Sequence, residues 1–190
     1  MNDKNKPKLL LHICCAPCGG FLAFELLKDF TVTVYYGNSN IYPEAEFKKR
    51  LAEARNFFTK NEMDFMEAEY NHNHWLSLVA GLENEPERGK RCILCYYNRL
   101  RSSAEYAKKN NFDCFGSTLA ISPHKDALVI NNLGRALAKQ IGIPFLAGDW
   151  KKQDGFRKAM EFSHEHNFYR QNYCGCEFTL WNRAMPKFLL

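Results

Sequence analysis

Eight cysteines dominate the chemistry that this chain of 190 residues could perform. Cys114 stands alone, and the other seven form three short groups: the loop thiols (Cys14, Cys15, Cys18), the helix thiols (Cys92, Cys95) and the C-terminal thiols (Cys174, Cys176). Thiols grouped in this way indicate metal ligation or redox chemistry when the protein occupies a reducing compartment. We interpret them as ligands of a redox metal centre rather than as structural disulfides. Cys114, inside a predicted strand, is expected in the core.

The loop thiols follow an apolar run over residues 9–13 that predicts a buried parallel strand. Successive strand side chains face opposite ways, so Cys14 and Cys15 can meet only if the strand ends there. Pro17 and the pair Gly19-Gly20 are expected to provide that irregular turn. The turn leads into a predicted helix, whose N-terminal amides favour thiolate over thiol.

The helix thiols form a C-x-x-C motif at the start of a predicted helix, a spacing that lets both sulfurs face one ion or cluster. Together with Cys15-x-x-Cys18 they also match a four-cysteine zinc site, and spacing alone does not separate the two. The adjacent pair Cys14-Cys15 favours an iron–sulfur cluster, since separate iron corners can each take one thiolate.

The C-terminal thiols flank a single glycine, Gly175. A C-G-C pair could close into a strained and therefore oxidising disulfide, or it could offer two sulfurs to a second metal. Both interpretations stay open at this point.

Short apolar segments alternate with amphipathic ones along the chain, which predicts a single three-layer α/β domain over residues 1–190 with a parallel sheet. The predicted strands cover residues 9–13, 31–36, 64–68, 112–117 and 144–147. The predicted helices cover residues 21–27, 44–60, 74–79, 92–109, 125–140 and 155–166. Sites in such sheets form beyond the carboxyl ends of the strands, so distant cysteines can converge there. His124 and Asp149 follow predicted strands at that edge and are candidate proton donors.

The charge pattern is modest, with 26 Lys+Arg against 21 Asp+Glu and a formal charge of +5. This raises the expectation of an RNA partner only slightly. No apolar stretch is long enough to cross a membrane, and residues 9–13 are too short for a signal-peptide core. We therefore expect a cytoplasmic protein.

Three ordered motifs resemble the cobalamin-independent epoxyqueuosine reductases of the QueH type. They are H-x-C-C-A-P-C from His12, C-x-x-C followed by Tyr96 and Arg99, and Y-R-Q-x-Y-C-G-C from Tyr169. The resemblance implies that the epoxide oxygen of epoxyqueuosine in a tRNA anticodon is removed to leave an alkene. It also implies a Rossmann-like fold similar to the nucleotide-alpha-hydrolase superfamily. Cysteines occupy the loop that cradles phosphates in those relatives, so no use of ATP is expected.

The resemblance further implies that Cys14, Cys15, Cys92 and Cys95 hold a [4Fe-4S] cluster. This set takes Cys14 in place of Cys18, which the spacing alone prefers. The C-terminal thiols would be a catalytic redox-active pair or would bind a second, mononuclear iron. An external electron donor would supply the electrons, and Asp149 is the catalytic candidate for proton donation or metal binding.

A tRNA substrate needs a positively charged and aromatic surface. Arg91, Arg99, Arg170 and Tyr173 are the candidates for binding it. Two other functions fit the same cysteines: a zinc-stabilised RNA-binding module without catalysis, and a dithiol oxidoreductase without a cluster.

Overall fold

The computed structural model describes residues 6–184 and contains one five-stranded parallel sheet in the order β3-β2-β1-β4-β5. The strands are β1 (Lys8–His12), β2 (Thr31–Tyr36), β3 (Asp64–Glu67), β4 (Cys114–Ser117) and β5 (Phe145–Leu146). The helices are α1 (Ala16–Leu26), α2 (Glu44–Lys60), α3 (His72–Leu78), α4 (Lys90–Lys109), α5 (Ala127–Ile141), α6 (Gly155–Glu165) and α7 (Glu177–Ala184). The predicted α/β class is confirmed. Helix α7 was not predicted.

Helices cover both faces of the sheet, and β1 shows how the sequence achieves this. Leu9 and Leu11 pack into one buried cluster with residues of α1, α2 and α6, whereas Leu10 packs into a second cluster beneath α4 and α5. A strand that is buried on both faces needs a continuous apolar run rather than an alternating one. No helix within residues 6–184 has the length and apolar character that a membrane crossing requires.

Helix α1 begins at Ala16, five residues before the predicted start at residue 21. Pro17 fits the first helical turn, where its missing N–H costs nothing. The two glycines, expected to break the chain, lie inside the helix instead. A Cβ at Gly19 would lie 2.8 Å from Ile13, and one at Gly20 would lie 2.7 Å from Phe162. The glycines therefore allow α1 to approach its neighbours closely, and the turn is confined to the residues around Cys14 and Cys15.

The strand order creates a crevice between β1 and β4. The chain proceeds from β1 outward through β2 and β3, then crosses to β4 on the other side of β1 and continues to β5. The loops after β1 and β4 therefore diverge, and such a switch point is where open α/β sheets bind ligands.

Replacement of Gly134 by Ala tests how closely α5 packs on the sheet. Gly134 is buried, and a Cβ there would collide with the ring of Phe145. We expect Gly134→Ala to lower the free energy of unfolding by about 1–3 kcal/mol through overpacking, although helix propensity alone favours Ala by about 1 kcal/mol. Urea denaturation measures whether the free energy of unfolding falls or rises in this variant. Ala136→Gly, at an exposed position of the same helix, reports propensity alone, and a stabilised Gly134→Ala variant would contradict the packing.

Candidate functional site

The loop thiols lie together at the carboxyl end of β1. The strand ends at His12, and the chain turns immediately, so Cys14 and Cys15 do not alternate. The three sulfur atoms lie within 4.8 Å of one another, and those of Cys14 and Cys15 are 3.7 Å apart. Cys18 reaches the group from the first turn of α1. A thiophilic metal ion could be held by such a set.

Hydrogen bonding lowers the pKa of one loop thiol and raises the pKa values of the other two. Cys15 and Cys18 stabilise a thiolate on Cys14, which lowers the pKa of Cys14 well below its usual value. The same contact raises the pKa of Cys15 to about 12, and the pKa of Cys18 is also raised by its two neighbours. Within this group a thiolate is therefore favoured on Cys14 over either neighbour. Gln171 Nε2 also donates to the sulfur of Cys15 at 3.2 Å.

The helix thiols lie in the first turns of α4 and are buried. Burial raises the pKa of both, that of Cys95 to about 12, and the nearby charge of Cys174 raises them further. The backbone N–H of Arg88 donates to the sulfur of Cys92 at 3.3 Å. Cys95 shares a small apolar cluster with Cys176 and Trp75. The helix thiols and the C-terminal thiols are therefore neighbours, although Cys95 and Cys174 are 79 positions apart in the chain.

A buried guanidinium links the groups of thiols. Arg99 is 3% exposed, and it donates hydrogen bonds to Asn38 Oδ1 after β2 and to His12 Nε2 at the end of β1. Burial disfavours its charge, but Cys95, Cys14 and Cys174 outweigh that effect and raise the pKa of Arg99. Burial, with a contribution from Arg99, lowers the pKa of His12 to about 3, so this imidazole is neutral at pH 7.

A cavity of about 140 Å³ opens onto these sulfurs between the loops that follow β1 and β4. We call it the cysteine cavity. Its lining comes from four segments: Cys14, Cys18, Glu87, Ser122, His124, Lys125, Gln171, Asn172, Tyr173 and Cys174. The predicted convergence of distant cysteines at the sheet's switch point is therefore observed for Cys14, Cys18 and Cys174. His124, predicted from its place after β4, also lines the cavity.

Arg50 holds the C-terminal thiols in place. Its side chain is 1% exposed and forms an ion pair of 2.7 Å with Glu46. It also donates to the carbonyl of Cys174 at 3.3 Å and lies 5.2 Å from the ring centroid of Tyr173. Gly175 has a φ of 132° and its carbonyl accepts from the N–H of Tyr42. The C-G-C turn thus needs a glycine, because this conformation strains other residues.

The comparisons with known proteins agree with the cysteine motifs. The family model described as "Epoxyqueuosine reductase QueH" matches residues 9–182. The chain belongs to this family. A relative from Streptococcus pyogenes serotype M1 is 40% identical over 180 residues, covering 92% of this chain and 71% of the relative. One from Staphylococcus epidermidis is 35% identical and covers 96% of this chain and 80% of the relative. Both carry the name epoxyqueuosine reductase QueH.

Membership of the QueH family confirms the resemblance and makes the chain one of a family of oxidoreductases. Among solved structures, a predicted subunit of a tRNA methyltransferase from Methanocaldococcus jannaschii matches with a TM-score of 0.55 at 9% identity. That match covers 80% of this chain and 74% of the other. At this identity it supports the Rossmann-like fold alone.

Two predicted substrate-binding arginines of this QueH-family chain are buried instead of facing solvent. Arg91 is 1% exposed and donates from Nη1 to the carbonyls of Leu82 and Glu83, so it fixes the loop before α4. Arg99 contacts the thiols as described. Neither presents a surface charge to a phosphate, because each lies on the inner face of α4. Arg170 is exposed beside His164, and Tyr173 lines the cavity.

Asp149 does not line the cysteine cavity. Its carboxylate lies 3.9 Å from the ammonium groups of Lys151 and Lys152, and Lys151 donates in turn to the carbonyl of Lys125. The cavity's cation, Lys125, was missed by sequence reasoning because it was assigned to the start of a helix. Arg50 was also missed, although its place between Phe47 and Ala54 on the apolar stripe of α2 was a detectable signal.

Arg50→Met tests whether this buried ion pair secures the C-terminal thiols. The variant removes one partner of a buried pair and leaves the Glu46 carboxylate uncompensated, so we expect a loss of about 3–5 kcal/mol in the free energy of unfolding. Lys48→Met is the matched control. Its pair with Glu44 has the same i,i+4 spacing and a distance of 2.8 Å, but the side chains are 69% and 58% exposed. The control should cost about 0.5 kcal/mol or less, and equal losses would contradict the role of Arg50.

Proposed function

We propose that this protein removes the epoxide oxygen of epoxyqueuosine in tRNA and gives the alkene of queuosine. Two electrons and two protons enter, both carbon–oxygen bonds of the epoxide break, the carbon–carbon double bond forms, and the oxygen leaves as water. The observation that carries the proposal is the meeting of reduced cysteines from distant segments around one cavity in a chain of the QueH family. An external electron donor supplies the electrons, and the tRNA substrate makes the cytoplasm the expected compartment.

We further propose that Cys14, Cys15, Cys92 and Cys95 hold a [4Fe-4S] cluster. The donor chemistry fits it, since the four side chains are buried free thiols and Arg99 lies close enough to offset thiolate charge. When bound, such a cluster supplies electrons one at a time. The protein's own contribution is to bury the site, to hold the thiolates and to position the substrate.

The C-terminal thiols are proposed to act at the substrate, as a redox-active pair or as ligands of a mononuclear iron. Cys174 supports this because it lines the cavity, whereas Cys176 packs in the cluster with Cys95. Asp149 and His124 are the proposed proton donors. His124 lines the cavity itself, and Asp149 is linked to it through Lys151 and the backbone of Lys125.

The tRNA is proposed to bind at the mouth of the cysteine cavity. Two exposed cations lie near lining residues in the chain: Arg170 directly precedes Gln171, and Lys90, the first residue of α4, follows Glu87 by three positions. They replace the buried Arg91 and Arg99 as candidate phosphate contacts. Tyr173 remains a candidate for contact with the substrate inside the cavity.

Cysteine variants test the proposed ligand set. Replacing Cys14, Cys15, Cys92 or Cys95 singly with Ala removes one corner ligand and should abolish the visible absorption of the anaerobically purified protein. Cys174→Ser should retain the absorption but eliminate turnover.

Two cysteines outside the set provide the controls. Cys114→Ala should leave the spectrum unchanged, since its sulfur lies 4.0 Å from the carbonyl of Lys8, in β1 beside its own strand. Cys18→Ala separates the proposed set from one that includes all three loop thiols. Loss of the absorption in Cys18→Ala would contradict the proposed ligands.

Comparison of three substrates tests the proposed function. The free epoxyqueuosine nucleoside, an anticodon stem-loop and the whole tRNA are incubated with the reduced protein at two ionic strengths, and loss of oxygen is followed by mass spectrometry. The two RNA substrates should react far better than the nucleoside, and their binding should weaken as salt rises because bound phosphates release counterions. No conversion of any substrate would refute the reductase proposal, and equal rates on all three would refute the RNA contacts alone.

Lys90→Ala and Lys109→Ala locate the RNA surface in the same assay. Both lysines are exposed, and they lie at opposite ends of α4, roughly 28 Å apart at 1.5 Å per residue. Lys90→Ala should lower the dependence of log K on log salt by about one unit of slope. Lys109→Ala should leave it unchanged, and the reverse pattern would place the RNA elsewhere.

A further inference from the structure

Lys125 presents a free ammonium group to the cysteine cavity. It lines the cavity from the loop after β4 and is half-buried. Its backbone is fixed on both sides, because its N–H donates to the carbonyl of Ser122 and its carbonyl accepts from Lys151 Nζ at 2.8 Å. Its own ammonium forms no hydrogen bond with any residue in the described part of the chain. A charged donor is therefore available for a ligand.

A lysine side chain is ordinarily protonated at neutral pH, so Lys125 brings a positive charge to the lining of the cavity. Two of the other donors that line the cavity are engaged elsewhere. Gln171 donates to Cys15, and the Tyr173 hydroxyl donates to the carbonyl of Tyr42.

An epoxide has one polar atom at its reacting centre, the ring oxygen. Its oxygen only accepts hydrogen bonds, and it gains negative charge as a carbon–oxygen bond breaks. A fixed cationic donor in a site with little water stabilises such developing charge strongly. The alkene product has no oxygen at that place, so this donor distinguishes substrate from product.

We propose that the Lys125 ammonium donates a hydrogen bond to the epoxide oxygen and stabilises its charge while the carbon–oxygen bond breaks. The inference rests on the proposed reductase function and adds the residue that recognises the reacting group. Lys125 is not consumed. The two electrons come from the external reductant, and the two protons leave with the oxygen as water.

The test compares binding of two anticodon stem-loops, one with epoxyqueuosine and one with queuosine, to the oxidised protein, which cannot turn over. Wild-type protein should prefer the epoxide form by roughly 10- to 100-fold, the range for a hydrogen bond to a charged group. Lys125→Met and Lys125→Gln should both reduce this preference to near unity while general tRNA binding and visible absorption persist. Lys125→Arg, which keeps the positive charge, should retain part of the preference for the epoxide form.

Lys139→Met is the matched control, with the same charge change at an exposed position in the last turn of α5. It should keep the full epoxide preference. Wild-type preference and turnover in both neutral Lys125 variants would overturn the inference and leave the reductase function intact. Loss of visible absorption in Lys125→Met, Lys125→Gln and Lys125→Arg alike would also overturn the inference. Lys125 would then be needed to assemble the metal centre rather than to bind the epoxide. Failure of the wild-type protein to convert the epoxide would refute the proposed function instead.

Discussion

Buried thiols can lose their protons, to solvent or on binding a metal, only where positive charge compensates them, and Arg99 is the central positive group here. Its guanidinium is buried near Cys95, Cys14 and Cys174, and it donates hydrogen bonds to the last residue of β1 and to the loop after β2. An unpaired buried charge would cost several kcal/mol, of the order of 3–5 in measured cases. Arg99 therefore does two things at once: it fixes α4 against the sheet, and it places a positive charge beside the thiols. Burial, with a smaller contribution from the charge of Arg99, lowers the pKa of His12 and keeps this imidazole neutral beside the guanidinium.

The site also depends on the return of the chain to the sheet after α6. The C-terminal thiols lie far along the chain from the sheet edge that they complete, and Arg50 holds them there through the carbonyl of Cys174 and the ring of Tyr173. On the opposite wall, Arg88 donates from its side chain to the carbonyls of Pro123 and His124. Arginine side chains thus join loops that regular secondary structure does not join, Arg50 from a buried position and Arg88 from an exposed one. This explains why several arginines of a mildly basic chain are unavailable to a nucleic acid.

The sequence predicts the sheet and the sulfur groups because both have strong local signals. Residues 9–13 are apolar without interruption since β1 is buried on both faces, and clustered cysteines are rare by chance. Local patterns do not show which face of α4 carries a charge inward, so Arg91 was expected at the surface and lies buried. The glycines of α1 read as a break because the close contacts with Ile13 and Phe162 that require them are tertiary. The sequence pattern places Lys125 in a helix, and only the tertiary convergence of the loops brings it to the cysteine cavity.

We propose that the converging cysteines form one redox metal centre, and metal analysis of the anaerobically purified protein is the sharpest test of this proposal. A [4Fe-4S] centre should give a brown protein that contains about four iron and four sulfide per chain, with additional iron if the C-terminal thiols bind it. A colourless protein with one zinc and no sulfide would contradict the redox centre and favour a structural zinc site. A metal-free protein that still cycles a disulfide between dithiol and oxidised forms would contradict it as well.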